Sequence, residues 1–310
     1  MISTRRYTDA DAEPWNSFVK TAKNGAFLFD RNYMDYHRDR FSDHSLVFEK
    51  KGKIIAVLPG NEANGEIYSH GGLSFGGLVM HYDLKAAEVL EIFEQMLSYY
   101  RQAGFKALTY KAIPAIFHQY PAAEDLYALF RNEAVLVRRD ISSAVDLKKP
   151  IRFSETKRQF VTKCRNRGFT VAAATSFEEF WQLLTEVLSK FGTSPVHSLS
   201  EIQLLAGRFP DQVKLFECRD NNQLLAGILV YDYNNVVHTQ YMANSVEGRN
   251  IGALDYINHT LITGVYKDRE YFNFGISTED SGKVLNTGLI QQKEMMGGRG
   301  IVYDFYKMTL

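Results

Sequence analysis

The sequence predicts a mixed α/β protein made of two tandem lobes, each a mixed, largely antiparallel sheet flanked by helices. Three observations predict it. Helix-period and strand-period apolar patterns alternate along all 310 residues. Their order repeats: two helices, a three-strand meander, helix, strand, helix, strand. A two-residue hairpin signal recurs at the same stage of each round, Lys51-Gly52 and then Asn221-Asn222. The expected division is residues 1–150 for the first lobe and residues 151–310 for a linker helix plus the second lobe.

In the first lobe, Trp15, Phe18, Val19 and Ala22 mark an amphipathic helix, and residues 33–37 a second. Residues 45–48 and 54–58 are the hairpin strands, and residues 66–69 a third strand that runs into the glycine-rich loop His70 to Gly77. Asp83 caps a helix whose inward stripe is Val89, Phe93, Met96, Leu97 and Tyr100. A strand at 105–110, a helix at about 124–131 and a strand at about 134–145 complete the lobe. The basic helix from Ser154 to Arg167, stopped at Gly168, joins it to the next.

In the second lobe, Ser176 with Glu179 and Ser198 with Glu201 are capping-box signatures for two helices, the first carrying Phe180, Leu184, Val187 and Phe191 inward. Residues 213–217, 224–231 and 236–242 form the meander. A helix with Leu254, Ile257, Leu261 and Val265 on one face follows, then a strand at 271–274, a helix at about 283–296 and a strand at 301–306.

Composition narrows function. Lys+Arg and Asp+Glu both number 36, so no net positive field drives nucleic-acid binding, although a local patch can. The two cysteines, Cys164 and Cys218, make no CxxC pair, and the histidines form no HExxH or Cys/His cluster. A metal is not expected, nor is a membrane span. A reduced, cytoplasmic protein is the expectation.

The element order is similar to that of the GNAT acyltransferase superfamily, in which one strand splays from its neighbour and an acyl thioester lies in the gap. That resemblance implies a pyrophosphate loop at the start of the central helix, where backbone N–H groups and the helix dipole meet phosphates. The matching stretch is Gly248, Arg249, Asn250, Ile251 and Gly252, with Glu247 standing where a cation or amide is expected. The plainer alternative is a strand-to-helix turn capped by Asn250. The superfamily's Asn-x6-Tyr-x3-Gly pattern is matched by Asn286, Lys293 and Gly297, lysine replacing tyrosine. By resemblance, Asn286 holds a pantetheine arm.

That lysine, the segment Phe274-Gly275-Ile276-Ser277 and the run from Thr156 to Val171 resemble the Fem-type aminoacyl and peptidyltransferases and the related BioF-like group, which are double GNAT proteins. The resemblance implies an N-acyltransferase that moves an acyl group from acetyl-CoA or another acyl-CoA to an amine acceptor, without a metal. A Fem-type transferase using aminoacyl-tRNA and a cell-wall precursor is the first alternative. A catalytically inactive double-GNAT protein that binds a ligand is the second. The acceptor is expected to be a small molecule, a peptide or a nucleotide-sugar amine.

Lys293 is expected to anchor an acceptor phosphate or stabilise charge on the thioester. His238 and Tyr241 lie on the strand expected to splay, where an amine nucleophile needs a base or relay. Strict alternation puts them on opposite faces. Backbone N–H groups around Met242, Ala243 and Asn244 are the expected oxyanion donors. His197, in a loop between two helices, and His70, in the first lobe's glycine loop, are the expected acceptor contacts. For each histidine the plain reading is a satisfied structural residue. For the basic helix it is a solvated face over Phe160, Val161 and Cys164.

Overall fold

A computed structural model describes residues 1–310. The chain divides into two compact units. One contains Met1–Asp140, Asp280–Lys283 and Val302–Leu310; the other contains Ile141–Glu279 and Val284–Ile301. Sequence periodicity had set the division at 150/151. The observed units also exchange two short pieces near the C-terminus.

The first unit has two sheets. One runs Ile2–Arg6, Leu46–Lys50, Lys53–Leu58, Val79–Met80, all antiparallel. In the other, Ala107–Lys111 lies between residues 305–309 of the last strand, Arg299–Thr309, and Glu66–Tyr68, which it pairs in parallel, and Asn61–Ala63 and Ser42–Asp43 follow. The helix Ala86–Gln102 buries the predicted stripe of Val89, Phe93, Met96, Leu97 and Tyr100 against Leu46, Phe48, Leu58 and Leu108. The expected three-strand meander is broken here. Glu66–Tyr68 does not pair with Lys53–Leu58; Val79–Met80 takes that place after the glycine loop has crossed between the sheets.

The second unit is ordered Thr170–Ala174, Val213–Asp220, Gln223–Asp232, Val236–Asn244, Tyr271–Ile276, then residues 142–146. Its core packs Phe216, Ile228, Val230, Val237 and Phe272 on one sheet face against Ile257, Leu261 and Cys164 from the helices. Glu178–Ser189 covers the opposite face, with Phe180 beside Gly227.

Four local expectations need correction. Ser198 and Glu201 form their capping box, but Ser176 bonds the Glu178 carboxylate and Phe177 takes the N-cap position. That helix stops at Ser189, so Phe191 is exposed. A π-helical turn at Leu261–Val265 adds a residue to the turn and rotates Val265 off the buried face. The last helix is Thr287–Met295 rather than 283–296, because Thr278–Glu279 and Val284–Leu285 pair as a small ladder first. No helix is long and apolar enough to cross a membrane.

Candidate active site

The second unit contains the parting of strands that the element order implies. Val236–Asn244 and Tyr271–Ile276 run parallel and pair at three positions only, Val236 with Tyr271, Val237 with Phe272 and His238 with Asn273. Beyond His238 they separate. From there to Asn244 the first strand is paired on its other edge alone, so alternate backbone groups in 239–244 face the opening without a strand partner. Ala243 is buried, and Met242 and Asn244 are half-buried. Two side-chain oxygens on this stretch, Gln240 Oε1 and Asn244 Oδ1, are buried without a hydrogen-bond partner, which marks a place where a donor group is wanted.

The parting coincides with a β-bulge. Leu229 faces Tyr241 and Val230 faces Thr239, so Gln240 has no opposite number. The extra residue resets the alternation, and His238 and Tyr241 share the face under the Glu178–Ser189 helix. Strict period-2 reading, which put them on opposite faces, is overturned by this single inserted residue.

The bulge brings Tyr241 to His197. The tyrosine ring packs edge-on to Trp181, 5.3 Å between centroids. Its oxygen accepts the backbone N–H groups of His197, at 3.3 Å, and Val196. The phenolic proton is therefore directed at His197 Nδ1, 2.7 Å away. Burial raises the Tyr241 pKa above its ordinary value, so the phenol keeps its proton near the opening.

His238 belongs to a second network. Asn273 Oδ1 accepts from Ser142 Oγ at 2.7 Å and from the Gly275 backbone N–H at 3.2 Å, and its amide nitrogen lies 3.1 Å from His238 Nδ1. Burial first, and then the nearby Lys293 ammonium, push His238 down to about 4. The residue as a whole is half-buried.

Lys293 is buried, 5% exposed. Its Nζ donates to Gly275 O at 2.9 Å, Ile276 O at 2.7 Å and Ser277 Oγ at 2.8 Å. The two C-terminal motif segments are thus joined by one ammonium group. All three ammonium protons are spent inside the protein, and burial lowers the group to about 8. Such a lysine holds a loop; it has no proton left over for a phosphate.

Asn286 is the N-cap of the last helix, its Oδ1 accepting from Leu289 N at 2.9 Å and its Nδ2 donating to Glu279 at 2.8 Å. The expected pyrophosphate loop is also occupied by the protein. Val246–Ile251 is a short helix capped by Ser245. A Cβ at Gly248 would lie 2.0 Å from Leu225 O, and one at Gly252 would lie 2.4 Å from Phe160 Cβ. Gly252 adopts φ +80°, between that helix and Ala253–Thr260. Cys164 Sγ bonds Ile251 O, and Lys157 pairs with Asp255 at 2.6 Å. Arg249 and Asn250 are exposed. Both glycines of the pattern are accounted for by close packing, and the linker helix lies over the turn. The residues present do not fit a pyrophosphate cradle.

In the first unit His70 is 3% exposed, with φ +63°. It borders a cavity of about 410 Å³ lined also by Tyr7, Arg31 and Asp43. Sequence reading missed Asn273 and Ser142. A polar residue within Tyr271–Ile276, a strand otherwise aromatic and apolar up to Gly275, was the available signal, since a buried amide needs partners.

No family model matches the chain, and no curated protein does. Among solved structures, FemX superposes over 99% of this chain and 97% of its own, with a TM-score of 0.71 at 11% identity. The fold is a Fem-like double GNAT. L-PGS from Bacillus licheniformis shares this fold, with a TM-score of 0.63 over 96% of this chain and 90% of its own, at 12% identity. So does a tandem GNAT protein from the clavulanic acid biosynthesis pathway, with a TM-score of 0.52 over 100% and 98%, at 10% identity.

Proposed function

We propose that the protein is an acyltransferase in which an amine attacks the carbonyl of an acyl donor lying between the parted strands of the second unit. The observation that carries the reading is the end of parallel pairing at His238 and Asn273, with unpartnered oxygens beyond it. The edge-facing N–H groups among Met242, Ala243 and Asn244 hold the donor's chain along the parted strand. Tyr241 and His197 contact the acceptor, and the attacking amine's proton leaves with the departing group or to water. Holding the two reactants together supplies on the order of 7–11 kcal/mol, which is why so few reactive side chains suffice. Lys293 contributes by fixing the loop that ends the strand.

Acyl-CoA is one donor to be tested. A second, an aminoacyl ester carried on tRNA, is favoured by a specific observation. The 247–252 turn is packed against the linker helix, while Lys163, Arg165 and Arg167 on that helix are exposed and have no carboxylate partner. The deciding experiment offers acetyl-CoA and an aminoacyl-tRNA in parallel to the full chain, with lysine-containing peptides and a nucleotide-sugar peptide as acceptors. Mass spectrometry of the acceptor reads transfer. An acylated amine identifies the donor. If neither donor is consumed above the uncatalysed rate, while the nucleotide-sugar alone raises thermal stability, the protein binds without transferring.

A further inference from the structure

We infer that His238 serves this reaction as a neutral hydrogen-bond donor through Nε2–H, aimed at the oxygen of the carbonyl under attack, and that Asn273 is the positioning residue that fixes this tautomer. The inference rests on the transferase reading above and adds a role that the strand pairing alone does not assign.

The Gly275 backbone N–H can only donate, and it points at Asn273 Oδ1 from 3.2 Å. That atom must therefore be the amide oxygen; an NH2 group there would set donor against donor. Ser142 Oγ, 2.7 Å from the same atom, is free to turn its proton toward it. The other end of the amide, facing His238 Nδ1 at 3.1 Å, is then NH2 and donates. Nδ1 accepts, so the ring proton sits on Nε2. Burial and the Lys293 ammonium keep the ring neutral at physiological pH.

The ring's hydrogen bond to the protein is made at Nδ1, to Asn273, which leaves Nε2–H directed away from it. Gly275 leaves that edge uncovered: a Cβ on it would come within 3.3 Å of His238 Cε1 and 4.0 Å of Nε2. His238 is also the last paired residue before the strands separate. A neutral N–H at the mouth of the opening is suited to a carbonyl oxygen and unsuited to taking a proton. In the reaction the amine nitrogen bonds to the carbonyl carbon and the π pair moves to oxygen, which His238 Nε2–H steadies. The pair then returns, the bond to the leaving sulfur or oxygen breaks, and the amine's proton passes to the leaving group or to water. His238 keeps its own proton throughout.

Two measurements test this. Long-range 1H–15N spectra of the histidine-labelled full chain at neutral pH should show a pyridine-type Nδ1 and a pyrrole-type Nε2 for His238, and Asn273→Asp should move the proton to Nδ1. A wild-type ring protonated on Nδ1, or on both nitrogens, overturns the inference whatever the activity. For turnover, His238→Ala should lose about 100- to 1000-fold in kcat. His238→Gln, which can donate but not act as a base, should recover most of that loss at similar KM. Equal loss in both variants assigns His238 as a base and overturns the inference. A wild-type chain that transfers no acyl group from either donor removes the transferase reading itself, and the carbonyl role falls with it while the tautomer result stands.

Discussion

Each unit secures a glycine-containing loop with a lysine that gives up three hydrogen bonds, and each places a histidine beside that loop. In the first unit Lys111 Nζ donates to His70 O at 3.1 Å, Gly71 O at 3.3 Å and Leu73 O at 2.6 Å. In the second, Lys293 does the same for 275–277. Burial lowers both ammonium groups to about 8. The histidines differ. His70 is stacked against His37, 5.3 Å between centroids, and tilted against Phe41, with Nδ1 buried and unpartnered. His238 has Nδ1 engaged and its opposite edge open. One fastening device has been used to bury a ring in one unit and to present a ring in the other.

The largest effect should come from removing the lysines. Lys293→Met strands two carbonyls and a hydroxyl around a buried site, and should cost about 3 kcal/mol of folding stability in urea titrations. Lys111 is half-buried, so water can reach part of its place, and Lys111→Met should cost about 1 kcal/mol. Equal losses would break the comparison at its root.

The glycines sharpen it. A Cβ on Gly72 would sit 2.3 Å from His37 Nε2 and 2.6 Å from Phe41 Cε2, so Gly72→Ala should cost about 2 kcal/mol through overpacking. Gly275 has φ +76° and a neighbour no closer than 3.3 Å. Gly275→Ala should therefore cost about 1 kcal/mol of backbone strain, yet lower acyl transfer by covering the His238 edge. Stability and kcat measured on both variants would show the first change acting on folding and the second on turnover.

Between pH 8 and the unfolded lysine value of 10.5, the unfolded chain binds the proton that folded Lys293 has lost. Folding stability should therefore rise with pH across that window, by up to about 1.4 kcal/mol per unit for this one group. Below pH 8 both states hold the proton and the contribution is flat. Lys293→Met should remove this slope while leaving the part due to Lys111. An unchanged slope in the variant would show that the ammonium is not desolvated as its surroundings imply.

Much of this was legible in the sequence, for identifiable reasons. The helical stripe Val89–Tyr100, the two hairpins and the Ser198 box follow local rules, and all formed. The spacing of Asn286, Lys293 and Gly297 singled out a segment whose lysine the structure buries against residues 275–277. What Lys293 touches was not legible, because its acceptors lie 16 to 18 residues away across a turn. The bulge at Gln240 carries no turn residue to announce it, yet it decides which face Tyr241 occupies. Ser142 and Asn273 meet across 131 residues, a separation that no periodicity reports. Glycine patterns misled most at Gly248 and Gly252, where the need was room for Leu225 and Phe160 rather than a ligand.

The smallest expected effect separates capping from substrate contact at Asn286. As an N-cap, Asn286→Ala should cost about 1 kcal/mol, and Asn286→Ser or Asn286→Asp should restore most of it, because either can accept from Leu289 N. If the side chain also held the donor, KM would rise in all three variants, since none keeps both the oxygen and the amide donor that now reaches Glu279. Urea midpoints read beside KM distinguish the two. A KM that follows stability and recovers with the serine variant leaves Asn286 as a helix cap. A KM that stays high while stability recovers makes it a binding residue, and the second unit would then have put a helix-capping amide to use on the donor.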